Sequence, residues 1–264
     1  MELISIGSSS SGNSYIIKAG STNLLLDVGL SATKIIAALR DNSLEPEDID
    51  AVLITHEHID HVRSVRAISK KCPNAIFFAS RGTVNGCDSF GSVDSERIRI
   101  IASQECADIR GVRVRCFGLS HDAREPIGYS IIADGEQLTV VTDTGIITDE
   151  IYSEMLTADM LVFEANHEEN LLMYGDYPYS VKMRIKSDLG HLSNVTSAEV
   201  LSRLMNDREG MLKIMLAHLS DKNNTPYQAR VTIENTLREC GYECGTDYDL
   251  CIAAKEGCCG IYSG

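Results

Sequence analysis

Three histidines and an aspartate stand within six residues in the segment His56-Glu57-His58-Ile59-Asp60-His61. Imidazole and carboxylate are the usual ligands of zinc and neighbouring divalent metals. Side-chain direction repeats every two residues in an extended chain, so His56 and His58 are expected to face one position. Asp60 and His61, opening a helix, would face a second. Buried without partners these groups would lose their solvation, so a purely structural role is hard to motivate. Two divalent ions roughly 3.5–4 Å apart lower the pKa of a bridging water and stabilise both attacking and leaving oxygens. The chemistry is metal-assisted hydrolysis with no serine or cysteine nucleophile, and it suits phosphodiesters, thioesters, lactones and β-lactams alike.

Such a loop needs a strand to end on. Ala51–Ile54 is a run of apolar residues between turn formers and reads as a buried strand. Ahead of it, Leu3–Ile6, Ser14–Lys18 and Asn23–Asp27 read as strands and Thr33–Arg40 as a helix. A helix is expected from Asp60 to Lys71 and a strand at Ala75–Phe78. The second half is patterned alike, with strands at Arg97–Ile101, Val112–Phe117, Gly128–Ala133, Gln137–Thr142, Met160–Glu164, Leu212–Ala217 and Leu250–Ala254. Helices fit Thr148–Leu156, Tyr179–Ser187, Thr196–Met205 and Pro226–Cys240. Two strand-rich halves with helices between suggest an α+β fold of two packed mixed sheets with helices outside.

With 264 residues and no proline- or serine-rich linker, one large domain spanning 1–264 is expected. The net charge of −14 argues against a general nucleic-acid binder, but an enzyme holding nucleic acid at one patch remains open. Nine scattered cysteines without a C-x-x-C give no support to a zinc knuckle or a thioredoxin-type pair, and suggest mostly buried free thiols in a reducing cytoplasm. The N-terminal residues do not read as a signal peptide, and no apolar run reaches the roughly 18 residues that span a bilayer. A cytoplasmic protein without a membrane partner is expected.

The H-x-H-x-D-H pattern after a hydrophobic strand, with Leu24-Leu25-Leu26-Asp27-Val28-Gly29 upstream, resembles the metallo-β-lactamase superfamily. The resemblance implies an αββα sandwich and three further ligands. His121 in Gly118-Leu119-Ser120-His121, Asp143 in Val140-Val141-Thr142-Asp143 and His218 in Met215-Leu216-Ala217-His218 fit them in order. It then implies that His56, His58 and His121 hold one metal, Asp60, His61 and His218 the other, and that Asp143 bridges them. Alone, each late residue would be an ordinary strand-end polar group. Asp27 could orient a ligand histidine or cap the turn at Val28-Gly29.

The phrases Asp188-Leu189-Gly190-His191-Leu192-Ser193-Asn194, His218-Leu219-Ser220-Asp221-Lys222 and Glu164-Ala165-Asn166-His167-Glu168 are similar to the YycJ/WalJ-type exonuclease branch of that superfamily. This implies a DNA exonuclease acting from the 5′ end, with two divalent ions, zinc or manganese, and DNA as partner. Asp60 and Asp143 would align the attacking water. His191 and His167 would contact the scissile phosphate or protonate the leaving oxygen; the alternative for His191 is that it merely flanks a Ser193/Asn194 helix cap. Ser11 and Asn13, in the run Gly7–Ser14, could wrap an anion, or that run could be a flexible connection. Lys182, Arg184 and Lys186 offer phosphate contacts or a solvated face. The alternatives are a small-molecule metallo-hydrolase acting on a thioester, lactone or cyclic phosphodiester, and a regulatory protein of a cell-wall signalling operon.

Overall fold

Leu24, Leu25 and Leu26 are all fully buried, and a strand covered on both faces reads as a continuous apolar run rather than an alternating one. In the computed structural model, which describes residues 1–255 and 257–262, they lie inside the first of two compact units. This unit comprises residues 1–118, 123–136 and those from 254 onward; the second comprises 119–122 and 137–253.

In the first unit, β1 (Glu2–Gly7), β2 (Ser14–Ala19) and β3 (Thr22–Leu26) pair antiparallel. Beyond β3 the sheet continues in parallel through β4 (Ala51–Leu53), β5 (Ile76–Ala79) and β6 (Ile98–Ile100). The C-terminal strand Cys259–Tyr262 pairs with β1 on the opposite edge. An antiparallel ribbon of β7 (Cys106–Ile109), β8 (Val112–Gly118) and β9 (Ile127–Ala133) completes the strands. The helices are α1 (Ala32–Asp41), α2 (Ile59–Val62), α3 (Val65–Lys71) and α4 (Arg81–Gly86). Ser31 caps α1 by accepting from the Lys34 N–H, and Ile35, Ile36 and Leu39 pack that helix into the core with Val52, Ile68 and Phe77.

The single helix expected over 60–71 is broken. The Ser64 N–H donates to the Val28 carbonyl at 2.9 Å, and the chain turns there between α2 and α3. The bond ties α2, which carries Asp60 and His61, to the turn after β3.

In the second unit, β10 (Glu136–Val141), β11 (Met160–Glu164), β12 (Leu212–Ala217) and β13 (Tyr248–Ile252) run parallel in spatial order β10-β11-β12-β13. Its helices are α5 (Asp149–Leu156), α6 (Glu169–Tyr174), α7 (Tyr179–Ile185), α8 (Asn194–Asp207) and α9 (Pro226–Glu239). Thr148, Ser193 and Thr225 cap α5, α8 and α9 with their hydroxyls. Among the described residues, no helix is long and apolar enough to cross a membrane, and none of the nine cysteines forms a disulfide.

Candidate metal centre

The His56–His61 loop leaves β4 through Thr55, which is gripped from several sides. Asp27 Oδ1 accepts from the Thr55 N–H at 2.9 Å, and the Thr55 carbonyl accepts from the Ile127 N–H at 3.0 Å. Asp27, at φ 54°, takes a left-handed turn at the end of β3 that brings its carboxylate back over the strand end. Its Oδ2 lies 2.7 Å from His61 Nδ1 and 3.0 Å from Thr55 Oγ1. His56 Nδ1 lies 3.0 Å from the same hydroxyl. With Nδ1–H of His61 donating to Asp27, and Nδ1–H of His56 donating to Thr55, both rings present an Nε2 lone pair. Fixing the tautomer from behind in this way is how carboxylates orient metal-binding histidines. Of the two roles left open by the sequence, the Asp27 carboxylate takes the first: it orients His61, while the Val28 and Gly29 N–H groups donate to the His61 and Asn13 carbonyls rather than to Asp27.

The His56 ring lies 4.6 Å from that of His58 and 4.1 Å from that of His61, centroid to centroid. Asp60 Oδ2 stands 3.5 Å from His61 Nε2. His56 and His61 are buried, while Asp60 keeps 17% of its side chain exposed. The serine-rich run is held by Asn13 rather than loose. The Asn13 side-chain oxygen accepts from Ser8 Oγ at 3.0 Å and the Ser9 N–H at 3.1 Å, and its amide nitrogen lies 3.2 Å from His61 Nε2. The Asn13 amide thus contacts His61 at Nε2, the ring nitrogen opposite the Asp27 contact, whereas Ser11 sits exposed, its hydroxyl 2.8 Å from that of Ser9.

The second unit repeats this design at the carboxyl ends of three parallel strands, where α/β sheets place their ligands. Asp143 follows β10, Glu164 ends β11 and His218 follows β12. Asp143 and His218 adopt φ of 60° and 55°, left-handed turns that hold each side chain at its strand end. Glu164 is fully buried. Its Oε1 accepts from His191 Nδ1 at 2.8 Å and His218 Nδ1 at 3.1 Å, and its Oε2 accepts from the Leu192 N–H at 3.1 Å. Burial alone would raise this carboxyl, but the charges and hydrogen bonds of His191 and His218 outweigh it and hold it well below the usual carboxylate range. His121 Nδ1 lies 3.2 Å from the Gly190 carbonyl, which leaves Nε2 as its ligand atom. The His191 ring centroid lies 4.9 Å from that of His121 and 5.2 Å from that of His218.

The donor chemistry fits divalent metals. Ligand atoms of Asp143, Glu164, His191 and His218 all lie within 4.8 Å of one another. His218 Nε2 and Asp143 Oδ1 are 3.3 Å apart. Two ligands on one tetrahedral zinc, with bonds of about 2.0–2.1 Å, are separated by about 3.3 Å. A lone pair and a carboxylate at this spacing suit a shared cation.

Glu164 and Thr55, which contact the clustered histidines, are not singled out for that by the sequence. The available signal was a carboxylate ending an apolar strand, the same signal that marked Asp27. His167 is buried at 2% exposure, and its carbonyl accepts from the Asn194 N–H at 2.8 Å, tying it to the start of α8. Of the basic stretch, Lys182 donates to the carbonyls of Met173 and Gly175, Arg184 pairs with Asp122, and Lys186 is exposed.

Burial lowers the His167 pKa to about 4. The unfolded ring titrates near 6.5, so between these values the unfolded chain binds more protons. Stability is then full above about pH 6.5 and falls as pH drops towards 4, by about 3 kcal/mol at most. Urea unfolding of chelator-treated protein at pH 7, 5.5 and 4 should show a smaller pH-dependent loss in His167→Gln than in wild type. Equal losses would refute a neutral buried His167.

Residues 22–212 match the family model described as the beta-lactamase superfamily domain. The chain belongs to the beta-lactamase superfamily. Within it, the chain is 36% identical to exodeoxyribonuclease WalJ of Streptococcus pneumoniae serotype 2 (strain D39 / NCTC 7466), over 93% of this chain and 91% of the relative. It is 31% identical to exodeoxyribonuclease YycJ of Bacillus anthracis, over 93% and 92% respectively. The metallo-beta-lactamase fold protein YhfI of Bacillus subtilis superposes with a TM-score of 0.72 at 15% identity, covering 98% of this chain and 99% of that one. The expected α+β, αββα architecture of this superfamily therefore holds, and with it the histidine and carboxylate clusters mark a divalent-metal-binding protein.

Proposed function

We propose that this protein is a metal-dependent phosphodiesterase that degrades DNA exonucleolytically from the 5′ end. The observation that carries this reading is its similarity, along 93% of its length, to an exodeoxyribonuclease. His56, His58 and His121 would hold one divalent ion, Asp60, His61 and His218 the other, and Asp143 both. Bound there, two ions, zinc or manganese, would acidify water and stabilise the charge on attacking and leaving oxygens.

The chain's own residues contribute orientation and proton control. Asp27 and Glu164 fix the imidazoles from behind, so ligand geometry is set before substrate arrives. Asp60 and Asp143 carry carboxylates that accept a hydrogen bond from the attacking water. His191, its Nδ1–H donating to Glu164 at 2.8 Å and 17% of its side chain exposed, would as the imidazolium present Nε2–H as the proton donor to the leaving oxygen, with the Glu164 carboxylate stabilising the charged ring. His167 is buried beside α8, and its part is to line the substrate site. With no disulfide among the described cysteines, we place the enzyme in a reducing cytoplasm.

The net charge of −14 is the observation on the side of a small-molecule substrate. One experiment separates the readings. With manganese, the purified protein should degrade end-labelled linear DNA from its 5′ ends, and Asp143→Ala should lower the rate at least 1,000-fold. Intact DNA and RNA ends, alongside turnover of a thioester or lactone, would refute the exonuclease reading.

A further inference from the structure

None of the seven residues of α7 is buried. A helix this short is not stable in water by itself, and apolar packing is what ordinarily holds one in place. Polar ties hold α7 instead. Lys182 donates to the Met173 and Gly175 carbonyls at 2.8 and 2.7 Å, fastening α7 to the end of α6, and Arg184 pairs with Asp122. What these ties support is an apolar surface. Half of the large apolar side chains that stand exposed among the described residues lie between positions 171 and 189, including Met173, Tyr174, Tyr179 and Met183. Tyr174 and Tyr179 are 88% and 71% exposed. Tyr179 and Met183, four residues apart, share one stripe of α7, and Tyr174 stands in sequence between the two carbonyls that Lys182 holds. Exposed apolar side chains gathered in this way mark an interaction surface.

Its position points to what it meets. Beyond α7 the chain turns back to the histidine cluster of the second unit. The His191 N–H donates to the Ile185 carbonyl at 2.8 Å, the Asp122 N–H donates to the Leu189 carbonyl at 3.1 Å, and the Gly190 carbonyl lies 3.2 Å from His121 Nδ1. One end of α7 therefore abuts the ring assigned to the leaving oxygen. The helix is about 10 Å long at 1.5 Å per residue, the rise of about three stacked nucleotides. Bases next to a phosphate at His191 are thus within reach of Tyr179. Charge agrees with a nucleic-acid occupant: residues 171–189 carry Lys182, Arg184 and Lys186 against Asp176 and Asp188, a basic balance in a chain of net charge −14.

We infer that the α6–α7 face is a stacking platform for unpaired bases of a DNA strand, a few nucleotides from the phosphate being cleaved, with Tyr174 and Tyr179 as its aromatic supports. The placement beside the cleaved phosphate rests on the exonuclease reading above. Bases stack on an aromatic ring whatever their sequence, so the platform carries no base preference. A duplex hides the faces of its bases, so the platform grips single-stranded ends and passes over paired ones.

The test follows, by fluorescence anisotropy, the binding of a labelled single-stranded decathymidylate and of a blunt duplex of equal length. The full-length protein carries Asp143→Ala to prevent cleavage and is held in manganese. Adding Tyr174→Ala and Tyr179→Ala together should weaken single-strand binding at least about tenfold and duplex binding no more than twofold. Phenylalanine at both positions should keep single-strand binding within twofold, since the rings remain. Unchanged single-strand affinity in the alanine pair, equal losses on strand and duplex, or a loss that phenylalanine repeats would overturn the platform. Unchanged affinity together with a dimer that the alanine pair dissociates in sedimentation would also overturn it, and would make this face a contact between two copies. The two readings fail separately. Degradation of DNA ends by wild type, with affinity indifferent to the tyrosines, removes the platform and keeps the exonuclease. Tyrosine-dependent single-strand binding, with no DNA end degraded by wild type, removes the exonuclease and keeps the platform.

Discussion

Replacing Glu164 with alanine should destabilise the protein by about 3–5 kcal/mol, lower metal affinity 10–100-fold and reduce DNA hydrolysis at least 100-fold. The side chain is fully buried and accepts from His191, His218 and the Leu192 N–H, with the Asp143 and Thr144 N–H groups each 3.4 Å away. Truncation leaves these donors facing a cavity, at about 1–3 kcal/mol for each group left unsatisfied. It also frees the two imidazoles to turn. Urea unfolding and metal titration of Glu164→Ala measure the two effects separately. Glu164→Gln keeps the volume but presents an N–H₂ to one of the donor pairs, so it should recover part of the stability and little of the affinity. A Glu164→Ala protein within 1 kcal/mol of wild type, with unchanged metal affinity, would mean that Glu164 orients nothing.

The second large effect is expected at Gly29. A Cβ built there would stand 1.5 Å from the Asp60 carbonyl oxygen and 2.1 Å from its carbon, so only glycine lets the turn after β3 lie against α2. The contact is clamped: the Val28 N–H donates to the His61 carbonyl at 2.8 Å and the Gly29 N–H to the Asn13 carbonyl at 2.9 Å. The obstacle is backbone, and no side chain can rotate away. Gly29→Ala must push α2 off the turn, taking Asp60 and His61 with it. We expect a loss of at least about 3 kcal/mol, towards or beyond the upper end for overpacked sites, and loss of the metal proposed for Asp60 and His61. Gly91, where a Cβ meets nothing within 4 Å, supplies the control; Gly91→Ala should stay within about 0.5 kcal/mol of wild type. Wild-type melting temperature and metal content in Gly29→Ala would contradict this packing.

What the sequence disclosed follows from how locally each feature is determined. His56 to His61 are legible because a strand, an extended turn and a helix start fix their directions within eleven residues of chain. Long apolar runs such as Met160–Glu164 and Leu212–Ala217 appear in the structure with the bounds that the sequence suggests, since burial on both faces leaves little choice of residue. β7 escaped notice because its Cys106 and Asp108 are solvent-facing and its pattern is weak over four residues. The break at Ser64 was hidden for a different reason: the acceptor, Val28, lies 36 residues away, and no local pattern records it. Glu164 belongs to the same class. Its role depends on His191 and His218, at sequence separations of 27 and 54, whereas the strand it ends is visible by itself. Asp27, one residue beyond its strand, offered two uses in advance; the choice between them rests on His61, 34 residues away, which no local pattern records.

Metal content tests the central claim most directly. Protein purified without chelators and analysed by elemental mass spectrometry should carry two divalent ions per chain. The double variant His56→Ala/His58→Ala should carry about one, and chelation should stop DNA degradation until manganese or zinc is restored. A wild-type protein without stoichiometric metal, or DNA degradation that continues undiminished in excess chelator, would contradict the account.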